Sequence, residues 1–530
     1  MKNQSPSIFN DIVGPVMVGP SSSHTCGPSR IGFLARQLLP GKLKKCIIEF
    51  ARDGAYTLMY KGHRSDMGFI NGLLGRRPEN PRLRFAYEDA RNEGIEVLFE
   101  IVDIPPLVPN ISHLILENTD GKQVIVHADS TGGGTVNLLS IDRFPVSILG
   151  DCYELIIRTN GNEQENEHCK NKLLAMFETN EGITVSTIAN NGLLNVKMRE
   201  PFDEALLEKI RSFPDVTNVT VLEPILAVTS NRHAVLPFSN AEEMLARAEA
   251  TGKPLWELAI DYEMIRAGWS RMQILDYMEK VIETMEHGVC EALSGSIKID
   301  GIIQPSAATI DKHCKDSKRS LDMGVLNTAV SWAVATMEYS SSMGVVVCGP
   351  TGGSAGVFSG AVLGICSHIG LSMKKKVEAM LTTGIIGIVI ARECNFSAEL
   401  FGCQVETGAA AAMAGGALVY LMNGSPAQSC AAASCALQNI LGNICDPVAG
   451  LVQIPCINRN ALAAANAVVS ANIIMGGFDP LIPLDQTVET MLRVGRQLPA
   501  ELRCTGKGGL CITERGQQLA NERENRGIGL

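Results

Sequence analysis

Cys445-Asp446-Pro447-Val448-Ala449-Gly450-Leu451-Val452-Gln453-Ile454-Pro455-Cys456-Ile457-Asn458-Arg459-Asn460 holds two cysteines 11 positions apart, and a third stands 42 positions earlier in Gly402-Cys403-Gln404-Val405-Glu406. Asp446-Pro447 can end a helix and set a turn, because the residue before proline avoids the helical region. Pro455-Cys456 puts a thiol just ahead of a helix opening, where the dipole favours a thiolate. Gly402 permits close backbone approach to a bulky group. Thiolates hold iron–sulfur clusters, and an electron-transfer site normally offers four. Three thiolates around a four-iron cube leave one iron without a protein ligand, and an open iron is a Lewis acid.

Read outward from these cysteines, the chain resembles the iron–sulfur-dependent L-serine dehydratases (L-serine ammonia-lyases), in a single-chain form with fused beta and alpha domains. The family's Gly-Cys-Gln-x-Glu, Cys-Asp-Pro-Val-Ala-Gly and Pro-Cys-Ile-x-Arg-Asn segments all stand here in order. A distant signature also matches, Gly19-Pro20-Ser21-Ser22-Ser23-His24-Thr25-Cys26-Gly27-Pro28-Ser29-Arg30. Lys61-Gly62-His63-Arg64-Ser65-Asp66 is a looser match to a Gly-His-Gly-Thr-Asp segment. The resemblance implies a [4Fe–4S] cluster on Cys403, Cys445 and Cys456, with Cys511 an occasional fourth ligand where the family has alanine. It implies that the open iron binds the carboxylate and hydroxyl of serine and that the products are pyruvate and ammonia.

At 530 residues, two to four domains are expected. A net charge of −10 with no basic stripe argues against nucleic acid as a partner. Met1-Lys2-Asn3-Gln4-Ser5-Pro6 has no apolar signal region, so a cytoplasmic location and reduced thiols are expected for the sixteen cysteines. Cys46, Cys290, Cys366, Cys430 and Cys435 read as inert buried residues in apolar or small-residue surroundings. Two glycine-rich apolar stretches, 343–366 and 408–422, fall short of a membrane span, the first being broken by Gly349-Pro350-Thr351-Gly352-Gly353-Ser354. No membrane association is expected, and a homodimer is the expected assembly.

The fold class read from the pattern is multidomain α+β. Residues 1–148 mix strand-like runs at 46–50, 95–101 and 124–128 with helices at 31–39 and 65–74, an α/β domain of the dehydratase beta type. Residues 151–225 read β-α-β-β-α-β, a ferredoxin-like, ACT-like regulatory module. From 239 to 515 helical periodicity dominates, at 240–251, 254–267, 270–292, 323–339, 372–381, 408–422, 425–441 and 459–474. That is the mainly α, cluster-binding domain, followed by a tail at 516–530. Ser239 is the expected N-cap of the first of these helices, with Glu242 three positions on.

The hydroxyls of Ser21-Ser22-Ser23-His24-Thr25 beside glycine suit a carboxylate, and His24 can move a proton near neutral pH. Ser23 and Thr25 are therefore candidate substrate ligands, with His63 beside them, where Asp66 either orients the ring or caps a helix. Ser130, in Asp129-Ser130-Thr131-Gly132-Gly133-Gly134, resembles a family Ser-x-Gly-Gly-Gly segment and is expected to face substrate. Gly349-Pro350-Thr351-Gly352-Gly353-Ser354-Ala355-Gly356 could cradle a phosphate, though no Walker Lys-Ser/Thr follows. The family has a similar segment, so Thr351 is assigned to the pocket. His24 or Lys298 is the expected base. Two other readings stay open here: a pyridoxal-phosphate ammonia-lyase, with Gly352-Gly353-Ser354 on the phosphate, and a non-enzymatic iron–sulfur redox sensor. Within the dehydratase reading, threonine is the alternative substrate.

Overall fold

The computed structural model describes residues 5–105, 108–316 and 318–525. Its N-terminal unit is built on a six-stranded sheet: β2 (Leu43–Ala51), β3 (Glu96–Val102), β4 (Ile111–Asn118), β5 (Gln123–Gly132), β6 (Thr135–Ile141) and β7 (Phe144–Ile148). The order is β3-β2-β4-β5-β6-β7, and only the β2–β3 pair is parallel. Alternation in β2 sends Cys46, Ile48 and Phe50 to one face, where Leu114, Leu116, Val126 and Ala128 join them. Helices Gly27–Leu38 and Ser65–Leu73 lie against each other on this unit. They approach so closely that a Cβ on Gly72 would lie 2.1 Å from Ser29 O. β4, β6 and β7 were not legible as strands. Their runs intersperse Ser, His, Asn and Pro among the apolar residues, which weakens the β signal.

The second unit follows as β8 (Tyr153–Thr159), helix Glu163–Met176, β9 (Gly182–Ile188), β10 (Asn191–Met198), helix Glu204–Arg211 and β11 (Val216–Leu222). The sheet is antiparallel in the order β11-β8-β10-β9, so the expected βαββαβ layout is the observed topology. Asn162 and Glu165 form a capping box that starts the first helix. That helix ends at Met176, where Phe177 turns inward and is buried with Leu155, Ile157 and Leu194.

The third unit is mainly helical, with long helices Arg271–Leu293, Val325–Ser341, Met373–Glu393, Thr407–Leu421, Pro426–Gln438 and Cys456–Met475. Met373–Glu393 runs well past the expected end at 381, because Ile385 to Ala391 are buried and continue the packed face. Helix Leu484–Gln497 was not expected. The cap of helix Ala241–Thr251 is Asn240, whose side chain accepts from Glu243 N at 2.8 Å; Ser239 instead donates to the Glu243 carboxylate. The expected tail is a helix through Asn525, with Arg523 donating to Ala449 O at 2.8 Å; 526–530 lie outside the described residues. Cys46, Cys366, Cys430 and Cys435 are buried as expected, but Cys290 is exposed, since its helix turns that side to solvent. Among the described residues no helix is long and apolar enough to cross a membrane.

The chain's first residues stitch the units together. Ile8, Phe9, Ile12 and Val13 are buried in the core of the helical unit. β1 (Val16–Val18) then pairs antiparallel with β12 (Val345–Val347). This pairing delivers Ser21–Cys26 to the helical unit, beside the Thr351 loop.

Candidate active site

Ser21 caps a wide helical turn, Ser22–Cys26, by accepting from His24 N at 3.1 Å. The turn runs straight into helix Gly27–Leu38 and fixes the His24 ring, which is 1 % exposed. Thr25 Oγ1 donates to His63 O at 2.6 Å, and Ser130 Oγ donates to Ser23 O at 2.7 Å. These two hydroxyls therefore brace the backbone that carries the histidines. His63 Nδ1 lies 3.2 Å from His24 Nδ1, and His24 Nε2 lies 3.0 Å from Asn110 Oδ1.

The hydrogen-bond network assigns the protons. Asn110 Nδ2 donates to Ser130 O at 2.9 Å, so its Oδ1 faces His24 as an acceptor. His24 Nε2 therefore carries a hydrogen, and in neutral His24 the Nδ1 atom is an acceptor. His63 Nδ1 must then donate to it, which leaves the lone pair of the ring on His63 Nε2. That atom is buried and has no hydrogen-bond partner. Burial lowers the pKa of His24, opposed by the Glu399 carboxylate 3.8 Å away. Burial, and then the neighbouring His24, push His63 well below its ordinary value. Both rings are neutral at pH 7. Asp66 does not orient His63; it accepts from Met67 N and Tyr87 OH.

The helical unit closes the pocket with Glu399, Glu406 and the Thr351 loop. Thr351 Oγ1 donates to Glu406 Oε1 at 2.6 Å, and Gly352 N donates to Ser22 Oγ at 3.2 Å. A Cβ on Gly353 would lie 2.9 Å from Glu406 Oε1. A loop whose donor is spent on Ser22 and which lies against a carboxylate is a poor phosphate cradle. Burial raises Glu406 to about 7, and burial with the Glu399 charge raises Asp129 to about 6. A cavity of about 650 Å³ opens beside this group, between Asn110, Asp129 and Ser130 on one unit and Asn395 and Ser397 on the other.

The thiols meet on the far side of Glu406. Gly402, at φ 78°, bends the chain so closely past Asn443 that a Cβ there would lie 2.7 Å from Asn443 O. This bend sets Cys403 into the pocket, where its Sγ lies 3.5 Å from Glu406 Oε2. Ligand atoms of Cys403, Glu406 and Cys445 all fall within 4.8 Å of one another. Cys456 opens helix Cys456–Met475, as its Pro-Cys context predicts. Arg459, one turn on, pairs with Asp446 at 2.8 Å and donates to Ile444 O. Contact with Cys445 and burial push the Cys403 thiol well above its ordinary value; the Cys445 thiol, lowered by Cys403, is nevertheless pushed well up by contact with Cys504 and burial, and that of Cys456 by burial and the charge on Cys403. Several sulfurs so placed cannot all ionise without a compensating positive charge, and a bound metal centre is what supplies one. The donor set fits an iron–sulfur cluster.

Of the sequence candidates, His24, His63, Ser23, Thr25 and Ser130 form one hydrogen-bonded group, of which Ser130 lines the cavity, and the Thr351 loop joins it through Ser22 and reaches Cys403 through Glu406. Lys298 does not join them. It is exposed in the loop after helix Arg271–Leu293. A general base must reach the proton it removes. Cys511 Sγ is turned toward Pro447 O at 3.2 Å. Sequence reasoning missed Asn110, Glu399 and the role of Glu406, although Glu406 stands inside the quoted cysteine motif.

Comparison with known proteins matches the same two regions. A family model described as serine dehydratase alpha chain covers residues 250–511, and one described as serine dehydratase beta chain covers residues 9–95. The probable L-serine dehydratase alpha chain of Bacillus subtilis is 34% identical over 282 residues, 53% of this chain and 94% of that protein. L-serine dehydratase 2 of Escherichia coli is 26% identical over 518 residues, covering 96% of this chain and 98% of its own. L-serine dehydratase 1 of the same organism is 28% identical over 513 residues, covering 94% and 97%. With buried thiols, a histidine pair and both regions in one polypeptide, the chain belongs to the serine dehydratase family.

Proposed function

We propose that this chain is an L-serine dehydratase, an L-serine ammonia-lyase that converts L-serine to pyruvate and ammonia with a [4Fe–4S] cluster. The observation that carries the reading is the convergence of two buried thiols, Cys403 and Cys445, the half-buried Cys456 and a neutral histidine pair on one site between two units. Cys403, Cys445 and Cys456 would hold the cluster. When bound, it supplies Lewis-acid assistance to the loss of the substrate hydroxyl.

The protein's own part is orientation and proton transfer. His63 Nε2, with its lone pair free and buried, takes the α-proton; His24 fixes the tautomer by accepting from His63 Nδ1 and is itself held by Asn110. This replaces the expected bases, since His24 has both ring nitrogens engaged and Lys298 is exposed. Thr25 and Ser130 hold the histidine backbone in place, while Thr351 holds Glu406. Burial keeps water from the reacting carbon. Loss of the proton and the hydroxyl yields aminoacrylate, which tautomerises and hydrolyses to pyruvate and ammonia without further help. The βαββαβ unit has the layout of an ACT-like module, and we read it as a regulatory unit.

The test is anaerobic purification, iron and sulfide analysis, and a keto-acid assay over a panel of hydroxy-amino acids that includes threonine. The expected result is cluster-dependent pyruvate release from L-serine. Activity on another compound with none on serine sinks the substrate assignment, and activity without iron sinks the cluster.

A further inference from the structure

Glu399 is a buried carboxylate at this site with no cation to balance it. It lies on the four-residue helix Ala398–Phe401, just ahead of the bend at Gly402 that sets Cys403 in place. Its side chain is 8 % exposed. Ser397 Oγ donates to its Oε2 at 2.8 Å. Its Oε1 lies 3.8 Å from His24 Nδ1, too far for a hydrogen bond, and among the described residues no donor reaches it.

His24 does not supply the missing charge. Its Nδ1 already faces His63 Nδ1, its Nε2 is held by Asn110, and burial keeps the ring neutral. Among the described residues Glu399 forms no ion pair with a lysine or an arginine. Its charge is felt across the site, where it helps to raise both Asp129 and Glu406. An ionised carboxylate taken out of water is costly, and a paired cation is what offsets the cost. Here that cation has to come from outside the chain.

The neighbouring carboxyls are less suited to receive it. Glu406 has both oxygens engaged, by Thr351 Oγ1 at 2.6 Å and by Cys403 Sγ at 3.5 Å. Asp129 and Ser130 are consecutive in β5, and Ser130 Oγ reaches Ser23 O, so alternation turns Asp129 to the other face. Glu399 keeps a free oxygen beside the ring that fixes the base. Serine carries its one positive charge on the nitrogen bound to the carbon that loses the proton. The group that holds this nitrogen must therefore stand next to the base, and His24 Nδ1 has both Glu399 and His63 as neighbours.

We propose that Glu399 binds the α-ammonium of the substrate through its free Oε1, and so selects amino acids over the same acids without the amine. This rests on the serine dehydratase reading above. The contact fixes the orientation of the α C–H toward His63.

The test compares the full-length wild-type enzyme with Glu399→Gln and Glu399→Asp. L-serine is the substrate, and 3-hydroxypropionate, which lacks only the amine, is the competitive inhibitor. Glu399→Gln should raise KM for serine by about 10- to 100-fold, the range for a hydrogen bond to a charged group, and leave the Ki of 3-hydroxypropionate unchanged. Glu399→Asp, which keeps the charge, should recover part of the loss. A wild-type enzyme that binds 3-hydroxypropionate as tightly as serine overturns the proposal without any variant. So does an unchanged preference for serine in Glu399→Gln, even where its pH profile moves, because a carboxylate that only tunes His24 would give that result. Equal weakening of both ligands overturns it too, since that marks a residue that only shapes the pocket. The serine reading fails separately, if the wild-type enzyme releases no pyruvate from L-serine.

Discussion

His63 Nδ1 and His24 Nδ1 face each other at 3.2 Å, and the proposal that His63 is the base rests on this contact. One of the two nitrogens must carry the hydrogen. Asn110 settles which, because its oxygen can accept only from a protonated His24 Nε2. The free lone pair therefore lies on His63.

His63→Gln should lower kcat by about 10²- to 10⁴-fold, the usual contribution of a positioned base. The cluster and its iron content should be unchanged. Asn110→Ala should cost less, because it frees the tautomer without removing the base. Exchange of the α-proton of serine with deuterated solvent reads the step directly. Normal exchange in His63→Gln would return the assignment to another residue.

The pH dependence follows from the same pair. Burial lowers both ring pKa values below 6.5, so both rings are neutral from pH 7 upward. Activity should be flat on the acid side of neutrality and fall only below about pH 6.5, as His63 gains a proton. For stability, the unfolded chain binds more protons than the folded one below 6.5. The contribution of the pair is thus full above 6.5 and is lost as pH falls through the folded values. Thermal midpoints at pH 5 and 7.5 check this, and the difference should shrink in His63→Gln.

Cys403→Ser, Cys445→Ser and Cys456→Ser should each lose iron and activity, since a hydroxyl is a poor substitute for a thiolate. Cys430→Ser, buried in the helical core and remote from this group, should keep its full iron complement. Iron-to-protein ratios after anaerobic purification make the comparison.

Thr351→Val should leave the buried Glu406 carboxyl without its 2.6 Å donor. Hydrogen bonds to charged groups contribute about 1.5–3 kcal/mol, so activity should drop by at least about tenfold. Thr351→Ser, which keeps the hydroxyl, should restore most of it. Equal loss in both variants would mean that the methyl group matters and the hydrogen bond does not.

Asp129 stands at about 6, held up by burial and by the Glu399 charge. A carboxyl raised in this way disfavours the folded state above its unfolded pKa. Asp129→Asn should therefore raise stability at pH 7.5 by roughly 1–3 kcal/mol, and the gain should vanish below pH 4. Thermal melts at the two pH values show whether it does.

The sequence by itself determined what depends on neighbours along the chain. Hydrophobic alternation marked β2, β9 and β11, and turn residues with helical period laid out the element order of the βαββαβ unit. The cysteine spacing marked Cys403 and Cys445, which the fold brings together with Glu406, and Gly402 shapes the backbone locally beside the first of them. Even nearby, one residue of slippage was enough to misplace a cap, since Ser239 and Asn240 offer the same chemistry and only the backbone angle selects between them. Tertiary structure decided the rest. The Asn110 contact that sets the tautomer joins residues 86 positions apart, and the Ser22–Gly352 bond joins residues 330 apart. Cys504 meets Cys445 only because 502–504 lies against 445, and β1 reaches β12 across most of the chain. Such partners are chosen by packing and burial, which no local pattern encodes. The same burial that hides them from the sequence neutralises the histidines and raises the carboxyls, so the chemistry of the site is a property of the folded chain.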